Sequence, residues 1–319
     1  MTPAPAERVV YYAAGGGHGH VLRGLAVLHA LGTGTLVGPR RLASWAAALG
    51  VDYVAADPHE IANVTALRNA ALLLVDVFPR GVVGELAQDT CAAPRWLVTR
   101  RVTPAYYLDP RVRETIETGF EQIVWCEEPP AELMTLRVPR HRVPPVLLCP
   151  PVLDRDAARR RLGVTNDRRL ILALGTGDPG RQGHLARLLG KIAARADADL
   201  RFVSDDLPAG GPVLRLFPAA AYLRAADVVV AAGGYHAVHE TQAVGVPTIY
   251  IPQARRYDDQ WWRVRNLPVA TDPATLERMV RDLLAASLGN GSERAVEERH
   301  GFTGSRRTLG GGGGHLGAP

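Results

Sequence analysis

Lysine is almost missing from this chain: Lys191 stands alone among 37 basic side chains, and the remainder are arginine. So one-sided a choice looks like coding bias rather than a nucleic-acid footprint, because no Lys/Arg block with interleaved aromatics occurs. Nucleic acid is therefore not expected as a partner, although the net charge of +5 can still attract an anionic substrate or lipid surface. Cysteine is scarce as well: Cys91, Cys126 and Cys149 are an odd number, widely spaced, with no C-x-x-C, which excludes a disulfide framework and suits a reducing compartment. No run of about 18 apolar residues is present, so no membrane-spanning helix is expected. The opening "MTPAPAERVVYYAAGGG" has no basic region followed by a sustained apolar stretch, so no signal peptide is expected and the cytoplasm is the expected location.

What is present is enough for two domains: 319 residues, 47% of them hydrophobic. Short apolar runs alternate with longer amphipathic ones. The runs 8–14, 34–38, 51–56, 71–78, 95–99 and 121–127 read as strands, with Ala/Leu/Arg-rich helical stretches such as "RRLASWAAAL" (40–49) between several of them. Strands that are apolar throughout, alternating with helices, imply an α/β fold with a parallel sheet covered on both faces. The stretch "VPRHRVPPVLLCPPVL" (138–153) breaks the rhythm with prolines and reads as a linker. Alternation resumes with 169–175, 199–205, 211–217, 226–232 and 247–252, and a last helix is expected over 273–288. The expected organisation is one α/β domain over 1–148, a second over 149–288, and a disordered tail over 289–319, which lacks apolar periodicity and carries five consecutive glycines.

The stretch "AAGGGHGHVLRGLAVLHAL" (13–31) joins the first strand to a helix whose Val21, Leu25, Leu28 and Leu31 share one face, with Leu22 beside it. Gly15 to Gly19 form the turn between them. Glycine there lets a ligand approach the backbone, and the free N–H groups of the helix's first turn face the space above the sheet. The spacing departs from the G-x-G-x-x-G dinucleotide fingerprint, since His20 stands where the third glycine belongs and Arg40 and Arg41 occupy the region of the ribose-binding acid. A flexible turn without a ligand is the plain alternative, but the carboxyl end of a first parallel strand is where open α/β sheets place their ligands.

In the second half, "AADVVVAAGGYHAVHETQAVGVPTIYIPQARRYDDQWWRV" (225–264) reads as strand, Gly233-Gly234 turn, short helix ending at Gly245, strand, and polar loop. Glu240, two turns into that helix, can reach vicinal hydroxyls such as those of a ribose; a solvated helix charge is the alternative. "LALGTGDPGRQG" (172–183) offers a further phosphate loop through Gly175, Thr176, Gly177 and Gly180, or a plain Asp-Pro-Gly turn. Asp76, at the end of "LLLVD", is placed to orient another catalytic group or act as a base, although such an aspartate more often caps a loop. A metal site built from His18, His20, His236 and His239 is not expected: the pairs lie in different halves and no H-E-x-x-H occurs. A neutral imidazole at the cleft, with an unperturbed pKa of about 6.5, is the better reading.

The residues 15–31 resemble the G-G-x-G-G-H-V start of MurG-type glycosyltransferases (family 28), and also the G-x-G-H-v-x-R start of the related UDP-sugar hydrolases of pseudaminic acid synthesis, which Arg23 fits better. The block 225–264 resembles the donor-binding signature of the same GT-B superfamily, in a version similar to predicted bacterial glycosyltransferases reading G-G-Y-N-T. The resemblance implies a GT-B fold, two Rossmann-like domains facing across a cleft, and transfer of a sugar from a nucleotide-sugar donor, expected to be UDP-linked, to a small-molecule or lipid-linked acceptor. The lipid case would bring peripheral membrane contact. It implies an inverting reaction with no cofactor and no obligatory metal. His20 would be the base, with His18 in reserve. Gly16, Gly17, Gly175, Thr176, Gly177, Gly233, Gly234, Tyr235 and His236 would lie along the donor, Glu240 would hold its ribose, and Asp259 and Gln260 its sugar. The chain departs from the pattern at Ala232, Ala237 and Arg263, where arginine, threonine and asparagine are usual. A hydrolase using water at the same site, or a non-catalytic nucleotide-sugar binder, are the alternatives.

Overall fold

The computed structural model describes residues 8–13, 17–86, 91–175, 179–204, 207 and 212–300. The first half holds strands β1 (Val9–Tyr12), β2 (Thr35–Gly38), β3 (Asp52–Ala55), β4 (Leu72–Asp76), β5 (Arg95–Thr99), β6 (Gln122–Trp125) and β7 (Arg140–Arg142). Its helices are α1 (His18–Leu31), α2 (Ala43–Leu49), α3 (Thr65–Arg68), α4 (Pro104–Leu108) and α5 (Pro110–Gly119). The second half holds β8 (Arg169–Leu174), β9 (Ala198–Val203), β10 (Val213–Leu214), β11 (Val228–Ala232) and β12 (Thr248–Ile251), with α6 (Arg155–Leu162), α7 (Pro179–Arg195), α8 (Tyr235–Val244), α9 (Gln260–Val264) and α10 (Pro273–His300).

These strands form two separate sheets, ordered β3-β2-β1-β4-β5-β6-β7 and β10-β9-β8-β11-β12, with every pairing parallel. Burial on both faces explains the unbroken apolar runs. Val10 and Tyr12 face one core layer with Val75 and Leu97, while Tyr11 and Ala13 face the other with Val21 and Leu25 of α1. The second sheet repeats this, with Ile171 and Val230 on one face and Leu172 and Val229 on the other. In each sheet the chain order reverses beside the first strand, between β1 and β4 and between β8 and β11. The carboxyl ends of the strands at such a switch point leave a crevice for a ligand.

The structure departs from the sequence reading in four places. The stretch expected to be only a linker contains β7, whose Arg140, His141 and Arg142 are all exposed. A charged three-residue strand after Pro139 suits a sheet edge, where proline and charge are tolerated and further pairing is discouraged. The run 211–217 yields only the two residues of β10. Helix α1 starts at His18, with Gly17 at its N-cap, so His18 to His20 are its first turn and not part of the preceding loop. Finally, α10 is assigned as far as His300, beyond the helix end expected at residue 288. Residues 301–319 lie outside the described residues.

Candidate active site

Helix α1 follows β1 closely enough that its third residue, His20, reaches Asp76, the last residue of β4 beside it in the sheet. His20 Nδ1 lies 2.5 Å from Asp76 Oδ2. Three further donors fix the same carboxylate: the Tyr11 hydroxyl at 2.9 Å, Arg23 Nε at 2.7 Å on Oδ1, and an Arg23 terminal nitrogen at 3.0 Å on Oδ2. Burial opposes ionisation of Asp76, but the Arg23 guanidinium, His20 and their hydrogen bonds overrule it and hold the carboxyl well below the usual range. An ionised Asp76 can only accept, so Nδ1 carries the imidazole proton and Nε2 keeps a lone pair on the cleft side. Burial lowers the His20 pKa below the ordinary imidazole value; Asp76 opposes this, while Arg23 and Arg100 add to it. The ring is therefore neutral at pH 7.

His20 lines a cavity of about 580 Å³ between the two halves. Gly17 and His18 of the first half line it too, and from the second half Gly175, Gly234, Tyr235, His236, Glu240 and Gln260. Helices α1 and α8 both start here on glycine N-caps, Gly17 and Gly234, without any side-chain cap. Two helix N-termini thus direct uncapped N–H groups and positive dipole ends to one space, an environment suited to an anion. The Glu240 side chain is 11% exposed, and its carboxylate lies 3.4 Å from His236 Nδ1. That Nδ1 is itself buried without a hydrogen-bond partner, because His236 spends Nε2–H on the Gly19 carbonyl at 3.0 Å. The half-buried Glu240 carboxylate and the unpartnered His236 nitrogen both face the cavity, where hydroxyls or other polar groups of a ligand can meet them.

Two expected site residues take other positions, and three cannot be placed. Asp76 stands behind His20, where it can orient the ring, and does not line the cavity. Gly233 also stays out of it: a Cβ there would lie 3.0 Å from Gln260 Cβ and 3.2 Å from Val264 Cγ1, so this glycine lets α9 approach β11. Asp259 caps α9 by accepting from Trp262 N at 3.1 Å and pairs with Arg101; its neighbour Asp258 lines the cavity in its place. Gly16, Thr176 and Gly177 lie outside the described residues.

Residues that the sequence reading did not single out join the two halves. Glu127, just past β6, accepts from Arg263 Nε at 2.6 Å, His239 Nε2 at 2.8 Å and Arg101 N at 2.9 Å. Arg263 also donates to the Gly233 carbonyl at 2.8 Å and to Asp258 at 3.0 Å, and Asp258 in turn pairs with Arg100 at 2.5 Å. Beside His20, the rings of Phe78 and Tyr106 meet Tyr257 from the second half, at centroid distances of 5.6 and 4.6 Å. The one advance signal was position: Arg100 directly follows β5 and Glu127 lies two residues past β6, at the ligand-binding end of the sheet. Among the described residues no group of three or more His, Cys, Asp or Glu side chains is placed to hold a metal ion, and no helix is long and apolar enough to cross a membrane.

Two Rossmann-like domains facing across a cleft make up the GT-B architecture, a fold this chain shares with solved glycosyltransferases. The spinosyn forosaminyltransferase SpnP aligns over 92% of this chain and 95% of its own, with TM-score 0.59 and 16% identity. The spinosyn rhamnosyltransferase SpnG aligns over 88% and 91%, with TM-score 0.56 and 19% identity, and has also been solved with thymidine diphosphate and with spinosyn aglycone. Among curated proteins, the chain is 27% identical over 176 residues to the UDP-N-acetylglucosamine–N-acetylmuramyl-(pentapeptide) pyrophosphoryl-undecaprenol N-acetylglucosamine transferase of Clavibacter michiganensis. That match covers 45% of this chain and 48% of the relative, so the chain spans about half the length of the curated relatives it matches. No family model matches.

Proposed function

We propose that the protein transfers a sugar from a pyrimidine nucleoside-diphosphate sugar, UDP-linked, to an acceptor hydroxyl with inversion at the anomeric carbon. The observation that carries this reading is the placement of neutral His20, oriented by Asp76, in the same cavity as the uncapped N-terminus of α8. His20 Nε2 takes the acceptor's proton as its oxygen attacks the anomeric carbon. The bond to the diphosphate breaks on the opposite face, and the diphosphate leaves with the electron pair. Backbone N–H groups at the two helix starts meet its charge, so this step requires no metal. Glu240 accepts from the ribose hydroxyls. The names of the relatives agree on the donor class, one acting with UDP-N-acetylglucosamine and another solved with thymidine diphosphate. The acceptor, a small molecule or a lipid-linked sugar, meets His20 beside the Phe78, Tyr106 and Tyr257 rings.

Incubation with a panel of UDP- and dTDP-sugars tests the reading, with nucleotide release measured with and without acceptor extracts. Acceptor-dependent release supports the transferase. Release into water alone, unchanged by any acceptor, replaces it with a hydrolase, and neither release nor thermal stabilisation by any donor defeats it. The ribose contact has its own check. Glu240→Ala is expected to weaken UDP binding about 10- to 100-fold by calorimetry, the range for losing a hydrogen bond to a charged group. A 2′,3′-dideoxy nucleotide should bind wild type and variant alike; a variant that binds UDP as tightly as wild type removes Glu240 from the ribose.

A further inference from the structure

Arg23 lies three residues after His20 on α1, so both side chains project from one helix face toward the end of β4. It is 1% exposed and turns two nitrogens onto Asp76, at 2.7 and 3.0 Å. Its third nitrogen is buried without a hydrogen-bond partner, and the Tyr235 ring at the start of α8 covers the guanidinium from the other domain, 4.9 Å from its carbon. Packed hydrophobic residues in place of a buried ion pair are often neutral or stabilising, so stability alone does not account for an arginine held this way.

We propose that Arg23 is a positioning residue for the base: it fixes the Asp76 carboxylate and neutralises its charge, so that Asp76 orients the His20 imidazole without turning it into an imidazolium. This rests on the proposed role of His20. A carboxylate 2.5 Å from an imidazole, alone in a dry site, would draw a proton onto the ring and leave no lone pair to accept one from the acceptor. Arg23 cancels that pull in two ways, by occupying both oxygens of Asp76 and by its own repulsion of a charged ring. Of the other groups facing this cluster, Arg100 pushes in the same direction as Arg23 and the rest are neutral. Tyr11 donates a neutral hydroxyl to Asp76, Arg100 opposes protonation of His20 but is paired with Asp258, and Cys126 and Tyr235 beside Arg23 are neutral, their pKa values pushed up by burial.

The test is nitrogen-15 NMR titration of the imidazoles in wild type, Arg23→Gln and Arg23→Lys, with thermal unfolding recorded for each. In wild type His20 is expected as the neutral Nδ1–H tautomer at pH 7; an imidazolium there overturns the proposal without any variant. In Arg23→Gln the His20 titration should move up by about one pH unit, and by clearly less in Arg23→Lys, which keeps the charge. No movement in a folded Arg23→Gln, or equal movement in both variants, overturns it. The acid limb of kcat should shift with the NMR titration. If the NMR value moves and the rate profile does not, His20 is not the base, while the action of Arg23 on its protonation stands.

Discussion

Replacing His20 with alanine is expected to lower kcat by about 10²–10⁴-fold while leaving the affinity for the nucleotide-sugar close to wild type, because a positioned general base contributes that much and the donor is held from the other domain. Single-turnover kinetics and calorimetry with the same donor separate the two quantities. Loss of donor binding with intact turnover at saturation would remove His20 from the chemistry. The wild-type rate should be level through neutral pH and fall only below the ordinary imidazole range, because burial, with Arg23 and Arg100, lowers the His20 pKa against the opposing pull of Asp76. Asp76→Asn lowers the rate by a different route. The corresponding exchange in the serine-protease triad costs about 10⁴-fold because it presents the wrong tautomer. Here it would also leave Arg23 buried beside an uncharged group, so His20→Ala is the cleaner variant.

Much of this site follows from local pattern, and the remainder from contacts across long stretches of chain. The alternation of apolar and amphipathic runs yields both sheets, and β5 matches its expected bounds of 95–99 because Arg-Trp-Leu-Val-Thr is sharply flanked by Pro94 and Arg100. Gly245 ends α8 in the left-handed conformation, at φ 74°, as a helix-terminating glycine should. Asp76 was legible as an orienter because a carboxylate at the end of a central strand has few neighbours other than the next strand's loop. Gly233 and Asp259 were not legible in their true roles. A glycine that admits a ligand and one that admits a helix look the same in sequence, and "DDQ" does not say which aspartate caps α9. Arg23 was visible only as a motif residue, since its partner lies 53 positions away. Arg263 differs from the usual asparagine, and its reason lies 136 positions away in Glu127.

That pair carries the other large effect. Glu127 and Arg263 are 2% and 1% exposed and come from opposite domains, so Glu127→Ala leaves a buried guanidinium with only a carbonyl and Asp258, and His239 without its acceptor. Breaking such a pair costs about 3–5 kcal/mol, a large share of the 5–15 kcal/mol typical of a folded protein. The expected result is a lower urea midpoint together with a larger radius of gyration in solution scattering, as the seam opens. The double variant Glu127→Leu, Arg263→Met removes both charges and should recover part of the loss, because the penalty comes from the stranded charge. The pH dependence follows with a definite sign. Burial alone would raise the Glu127 pKa, but hydrogen bonds from Arg263 and His239 hold it well below the usual range. A depressed carboxylate stabilises the fold fully above its unfolded value, about 4.3, and loses that contribution as pH falls below it toward the folded value. Asp76 and Asp258 are depressed too and weaken in the same acid window, so Glu127→Gln should flatten the stability profile there without abolishing it. A cost below about 1 kcal/mol, the range of exposed ion pairs, would show that Glu127 does not hold the two domains together.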